Sequence, residues 1–271
     1  MADIATGQTT PKLWDSACRL FGDRPFLVYL DADDRRTEFS YTGFAALIHQ
    51  AAHAFAGVGI GLGDRVILQL RNCPEMLTAL FGLAELGAIA VPLSPKATPA
   101  EVLRAYQHCG AQWAVVEECR LDDHLRLRRE KAVAAGGLLS VGGLPPADEC
   151  EPAPRAGSVA GESGGVHRYR TLCAAQSDQP VTDGAISSDT VAQLLYTSGT
   201  TGSPKGAELT HFNMFFNALY SGQYITKAKP GDIALCTLPL FHSFGQTCLM
   251  NAGMLSGAAL TSSQPRPGSM V

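Results

Sequence analysis

Apolar residues between Thr37 and Glu117 fall into two alternating rhythms. The short runs TEFSY, RVILQL, AIAVPL and QWAVVE read as strands. Between them Phe44, Ile48, Ala51 and Phe55 recur at helical spacing, and Met76, Leu77, Leu80, Phe81 and Ala84 mark a second amphipathic helix. Gly57 and Gly59 stop the first helix, and Asn72 and Pro74 punctuate the entry to the second. Thr98, Pro99 and Glu101 form a capping box with proline at the first helical position. Strands alternating with helices in this way predict an α/β fold, a largely parallel sheet covered by helices.

From about Arg120 to Asp189 the pattern fades into glycine, proline, alanine and charge, which predicts a long surface excursion of low order. It returns at VAQLLYT, a strand that runs into a Gly/Thr/Ser loop. A helix opened by Thr210 and carrying Phe212, Phe215, Phe216 and Leu219 follows. Pro230-Gly231-Asp232 reads as a turn. IALCTL is a further strand, PLFHSFGQ a loop, and a small-residue helix runs to about Leu255.

Composition narrows the class. With 271 residues, 46% of them hydrophobic and 17% charged, the chain can bury a large core. A net charge of -4 argues against nucleic acid. The one basic cluster, Arg126, Arg128, Arg129 and Lys131, has no interleaved aromatics and reads as a solvated helix face. No stretch reaches the roughly 18 apolar residues of a membrane span, and the N-terminus has no signal-peptide core, so the expected location is cytoplasmic. The cysteines form no CxxC pair, which argues against zinc and redox dithiols; all eight are expected to be reduced and mostly buried.

The residues that carry chemistry are YTSGTTGSPKG, Tyr196 to Gly206. Glycines let the backbone approach a ligand, successive N–H groups form an anion-binding concavity, and the hydroxyls of Thr197, Ser198, Thr200 and Thr201 add donors. Lys205 brings a mobile positive charge suited to phosphate. The spacing is not that of the P-loop, because Pro204 precedes the lysine and Gly206 follows it. An ordinary flexible loop is the alternative, but one so placed after an apolar strand and ending in Pro-Lys-Gly is much rarer by chance. Ser198 lacks the GxSxG setting of a nucleophile. The glycine run Gly57 to Gly63 follows a helix and precedes a strand, the reverse of a dinucleotide fingerprint. Asp31, Asp33 and Asp34 lack calcium-loop spacing and read as a solvated turn.

YTSGTTGSPKG resembles the phosphate loop of the AMP-forming acyl-CoA synthetase, adenylation-domain and luciferase superfamily. LPLFHSFG is similar to that superfamily's second motif, and ELGAIAVPLSP and SYTGFAALIHQAAHAFAGVGIGLGDRV to its N-terminal motifs. The resemblance runs from about Trp14 to Leu260, is weakest at Arg120–Asp189, and looks most like bacterial fatty-acyl-CoA ligases. It implies a layered parallel-sheet N-terminal domain over residues 1–260, incomplete at its C-terminal side, with an atypical tail at 261–271 and no small C-terminal domain. It also implies that a carboxylic acid, expected to be a fatty acid, attacks ATP to give acyl-AMP, from which coenzyme A displaces AMP. By resemblance Thr197, Ser198, Gly199, Thr200, Thr201, Gly202 and Lys205 would hold the ATP phosphates, and His242 would lie by the carboxylate and α-phosphate. Phe241, Phe244 and Gly245 are candidates for the acyl pocket, with core packing an equal reading.

The resemblance places the Mg²⁺ ligand, the adenine and ribose holders and the catalytic lysine beyond Val271. Full turnover by this chain is therefore not expected, and a non-catalytic nucleotide-binding or interaction fragment is the alternative. The polar TSSQPRPGSMV ending predicts a poorly packed tail, exposed sheet edges and self-association.

Overall fold

The computed structural model describes residues 7–130, 136–142, 165–181, 186–197 and 205–263. Helix α1 (Thr10–Phe21) leads into a hairpin of β1 (Pro25–Leu30) and β2 (Arg36–Ser40). Asp31 closes its turn, its carboxylate accepting from the N–H groups of Asp33 and Arg35 at 2.9 Å each, as a solvated turn requires. Helix α2 (Tyr41–Gly57) is capped by the Ser40 hydroxyl, and its glycine-rich exit turns at Gly59 (φ 92°) and Gly63 (φ 78°). There follow β3 (Arg65–Gln69), α3 (Pro74–Glu85), β4 (Ile89–Pro92), α4 (Pro99–Cys109) and β5 (Trp113–Glu117). Thr98 and Glu101 make the expected capping box of α4.

The chain then adds α5 (Leu121–Arg129), β6 (Leu138–Val141), β7 (Val166–Arg168), α6 (Tyr169–Ala174), β8 (Val191–Thr197) and β9 (Lys205–Thr210). Helix α7 (His211–Tyr220) continues into a π-helical stretch at Ser221–Thr226. Strand β10 (Ile233–Leu235), a second π-helical stretch at Gly245–Asn251, α8 (Ala252–Ser256) and β11 (Ala259–Ser263) complete it.

Two sheets result. The larger has the order β7-β6-β5-β3-β4-β8-β9, parallel except for β9, which runs antiparallel to β8. The smaller has the order β10-β11-β1-β2, parallel at β10-β11-β1. Helices α2 and α3 pack against each other in the main core. A Cβ on Gly82 would lie 3.0 Å from Ala51 Cβ and 3.1 Å from Ala52 N, so glycine sets how closely these helices approach. Apolar β3, β5 and β6 are buried on both faces, as parallel strands under helices must be.

Several expectations need correction. Helix α3 is not amphipathic: Met76 to Glu85 are all buried, because α3 lies in the core rather than over it. The stretch 120–189 is more than an excursion. Among its described residues β6 and β7 extend the large sheet, and the paired strands supply order that small-residue composition hides. Strand β9 was not expected, because KGAELT lacks an apolar rhythm; as an antiparallel edge strand it is held by pairing with β8.

The tail is also corrected in part. Thr261 to Ser263 finish β11 between β1 and β10, with Ser262 only 3% exposed. Their polarity concealed a position inside a sheet; residues 264–271 lie outside the described ones. Arg128 is not on a solvated face but donates to the carbonyls of Gly137 at 2.9 Å and Gln112 at 3.0 Å, because the β5–β6 edge beside α5 offers these acceptors. Cys119 is disulfide-bonded to a residue outside the described ones, whereas Cys18, Cys73, Cys109, Cys173, Cys236 and Cys248 are free. Spacing along a chain cannot reveal such a pair, since proximity in space decides it.

Candidate functional site

The apolar run VAQLLYT becomes β8, and its carboxyl end at Thr197 opens the Gly/Thr/Ser loop. The loop returns at Lys205 as β9, with Thr197 opposite Lys205 and Tyr196 opposite Gly206 in the last rungs. The Thr197 hydroxyl donates to the Lys205 carbonyl at 3.5 Å. Both side chains are exposed where the stem meets the loop. Ser198, Gly199, Thr200, Thr201 and Gly202 lie outside the described residues. The loop therefore springs from the carboxyl end of a strand, where open α/β sheets bind ligands.

The stem is held from both sides. The Tyr196 hydroxyl lies 3.0 Å from His108 Nδ1 on α4 and donates to the Ala105 carbonyl at 3.4 Å. Burial raises the Tyr196 phenol above its usual pKa, so it stays a neutral hydroxyl. At the far end of β9, Thr210 caps α7, and buried His211 accepts through Nδ1 from the Thr10 N–H at 3.2 Å. Burial lowers the His211 pKa to about 4.

The second motif follows β10. His242 is exposed; its N–H donates to the Pro239 carbonyl at 3.1 Å, and its carbonyl accepts from the Gln246 N–H at 3.3 Å. Phe241 is half-buried against the main core, whereas Phe244 is 57% exposed. Gly245 has a steric role: a Cβ there would lie 2.6 Å from the Pro239 carbonyl oxygen. Only glycine lets this segment fold back on itself. The helical stretch that begins at Gly245 packs on α7, which follows the phosphate-loop hairpin directly. The fold thus joins the supports of both motifs.

Sequence reasoning treated Asn72 as punctuation and passed over Arg71 and Glu117. The Asn72 amide donates to the Leu238 carbonyl at 2.9 Å and accepts from the Leu240 N–H at 2.8 Å. The Glu117 carboxylate accepts from the backbone N–H of Arg71 at 2.7 Å and from its guanidinium at 2.6 and 3.0 Å. A polar residue just past a parallel strand was the available signal.

Two cavities of about 620 and 430 Å³ lie away from these residues, the larger under the β1–β2 turn and the smaller beside α1. Among the described residues no cluster of His, Cys, Asp and Glu could hold a metal ion, and no helix is long and apolar enough to cross a membrane.

A parallel-sheet α/β fold with this loop and this second motif defines the class of adenylate-forming enzymes. The chain belongs to the AMP-binding enzyme family, whose model matches residues 14–270. It is 31% identical over 240 residues to the crotonobetaine/carnitine–CoA ligase of Salmonella enteritidis PT4, covering 89% of this chain and 43% of that protein. Among solved structures it is similar to apo MbtA of Mycobacterium smegmatis, with a TM-score of 0.76 and 27% identity over 94% of this chain and 44% of that one. The anthranilate CoA ligase AuaEII, solved with anthranoyl-AMP, gives a TM-score of 0.79 at 20% identity over 97% and 46% of the two chains, a likeness of fold. The chain thus spans less than half the length of these relatives.

Proposed function

We propose that this chain is the nucleotide-phosphate-binding part of an ATP-dependent acid–CoA ligase. The observation that carries the reading is the β8–β9 stem, which puts Thr197 and Lys205 side by side at a strand's carboxyl end around the Gly/Thr/Ser loop. Hydroxyls and an ammonium exposed at that point fit the donor set a polyphosphate needs. Thr197, Lys205 and the loop residues Ser198, Gly199, Thr200, Thr201 and Gly202 hold the phosphates of substrate ATP. His242 serves the carboxylate and α-phosphate, with Phe241, Phe244 and Gly245 around the acyl group. Such catalysis is mainly positioning and charge stabilisation.

The acid is a carboxylic acid, for which we favour a fatty acid, and coenzyme A is the acceptor. The first-named relative acts on crotonobetaine or carnitine, so a small polar acid is the second reading. Mg²⁺ would neutralise the polyphosphate; no residue described here is assigned to it. Because the chain spans 43% of that relative, adenine, ribose and coenzyme A contacts fall to segments beyond these residues, and full turnover needs them. The exposed apolar edge near β10 supports self-association of the chain alone.

Titration calorimetry with MgATP tests the reading. The chain should bind weakly, Lys205→Ala should lower affinity at least about tenfold, as loss of a charge-assisted contact does, and His242→Ala should leave it unchanged. ATP affinity insensitive to Lys205→Ala would refute the phosphate-loop assignment. Rapid acyl-CoA formation by the 271-residue chain would refute the requirement for further segments.

A further inference from the structure

The segment bearing His242 leaves the small sheet after β10, yet its hydrogen bonds lead to the large sheet. Asn72 stands three residues beyond Gln69, the last residue of β3, and reaches across more than 160 positions of sequence. One amide uses both its ends on this segment. Its N–H₂ donates to the Leu238 carbonyl (2.9 Å) and, more weakly, to that of Cys236 (3.5 Å); its oxygen accepts from the Leu240 N–H (2.8 Å).

The two neighbouring levels are fixed as well. Behind Asn72, Arg71 is tied by three hydrogen bonds to Glu117 at the end of β5, a carboxylate side chain 2% exposed. In front, buried Gln246 donates to the Leu240 carbonyl at 2.6 Å, while its own N–H binds the His242 carbonyl. His242 thus sits inside a loop whose start is pinned by Asn72 and whose end is pinned by Gln246. An exposed imidazole has no packing of its own to hold it, so its place must come from this backbone.

We infer that Asn72 is a positioning residue that registers the His242 segment against the carboxyl ends of the large sheet, with the Arg71–Glu117 pair as its anchor. The assignment rests on the proposed function for its catalytic consequence, but the bridge itself does not. A donor and an acceptor are both needed at position 72, because Leu238 offers a carbonyl and Leu240 an N–H.

Asn72→Asp separates this role from simple packing. The protonated acid has one donor and one acceptor and reproduces the amide; the carboxylate has no donor and faces the Leu238 and Cys236 carbonyls. Those carbonyls disfavour the charged form, so the folded-state pKa of Asp at position 72 lies above its unfolded value of about 3.9. Stability relative to the unmodified chain is then retained below about pH 4 and lost as pH rises through the folded pKa.

The experiment is hydrogen exchange of the Leu240 amide in the unmodified chain, Asn72→Asp and Asn72→Ala, at pH 4 and pH 7.5, each corrected for intrinsic rate. Asn72→Ala should speed exchange about tenfold or more at both values, the scale of a lost hydrogen bond. Asn72→Asp should do so at pH 7.5 and recover at pH 4. Amides of β6, away from the bridge, serve as the control for global unfolding. Unchanged Leu240 exchange in Asn72→Ala, or an Asn72→Asp defect that does not recover in acid while β6 stays protected, overturns the inference. Pyrophosphate exchange on the same proteins keeps the two readings apart. Its absence in the unmodified chain would count against activity in this chain and not against the bridge, whereas a fall in its rate at unchanged ATP affinity in Asn72→Ala shows that the bridge acts through the His242 segment.

Discussion

The core of the large sheet and the surface around β10 are built from similar residues and finished differently. In β3, Val66, Ile67 and Leu68 are completely buried, and β5 beside it buries Ala114, Val115 and Val116. In β10, at the edge of the small sheet, Ile233 is 73% and Leu235 60% exposed, and Phe216, Tyr220, Tyr224 and Ile225 on α7 and its π-helical extension are more than half exposed. Parallel strands ordinarily have both faces covered. The first region has its cover; the second presents apolar surface of the kind that marks an interface. Both proposed ligand-binding elements lie next to the second region, which suits a chain spanning less than half its relatives.

The largest expected difference comes from truncating one residue in each region. Leu68→Ala should cost about 2–5 kcal/mol, the range for removing a fully buried leucine, read from urea midpoints at constant m-value. Leu235→Ala should change stability by no more than about 0.5 kcal/mol, as exposed substitutions do. Equal losses at the two positions would mean that the β10 surface is already covered in solution.

Acid sharpens the contrast through two buried histidines. In the large-sheet region His124 is satisfied twice: Nδ1 accepts from the Tyr106 hydroxyl and Nε2 donates to Gln69 Oε1, both at 2.8 Å. At the start of α7, His211 Nδ1 is bonded to Thr10, while Nε2 has no hydrogen-bond partner among the described residues. Burial, aided for His124 by Arg128 and Arg120, lowers the pKa values to about 3 for His124 and about 4 for His211. Both therefore stay neutral in the fold while the unfolded chain takes up protons below about pH 6.5. Stability is present above that value and falls as pH drops towards the folded pKa, by about 2 kcal/mol per histidine at pH 5. His211→Gln should remove about that much of the fall between pH 7 and pH 5, measured by urea unfolding at each pH. An unchanged slope would show that His211 titrates freely and does not tie α7 to α1.

What the sequence revealed divides along the same line. Strands β3, β4, β5 and β8, the stop at Gly57 and Gly59 and the cap at Thr98 were legible because local propensity and tertiary position agree there. The loop chemistry at Thr197 and Lys205 was legible as a pattern of residue types. Strand β9, the Ser262 end of β11 and the strands within 120–189 were not, since long-range pairing rather than apolar rhythm holds them in place. The bridge from Asn72 to Leu238 and Leu240 joins residues too distant in sequence for any local rule. Gly245 resembled a pocket residue by its motif, but its reason is the Pro239 carbonyl 2.6 Å from where a Cβ would be.

The smallest expected effect on stability tests what the exposed region does. A lysine at an edge strand blunts pairing, because a charge cannot be buried against another strand without loss of hydration. Ile233→Lys lies on β10 with a side chain already in solvent, so its unfolding free energy should stay within about 0.5 kcal/mol of the unmodified chain. Its association should not. Sedimentation velocity across a concentration series should show the unmodified chain forming larger species as concentration rises, and Ile233→Lys remaining monomeric over the same range. If both chains stay monomeric, the β10 edge is quiet despite its exposure. If both associate alike, the contact runs through another surface, for which the aromatic face of Phe216, Tyr220 and Tyr224 is next to be tested by Tyr224→Lys, a residue 65% exposed.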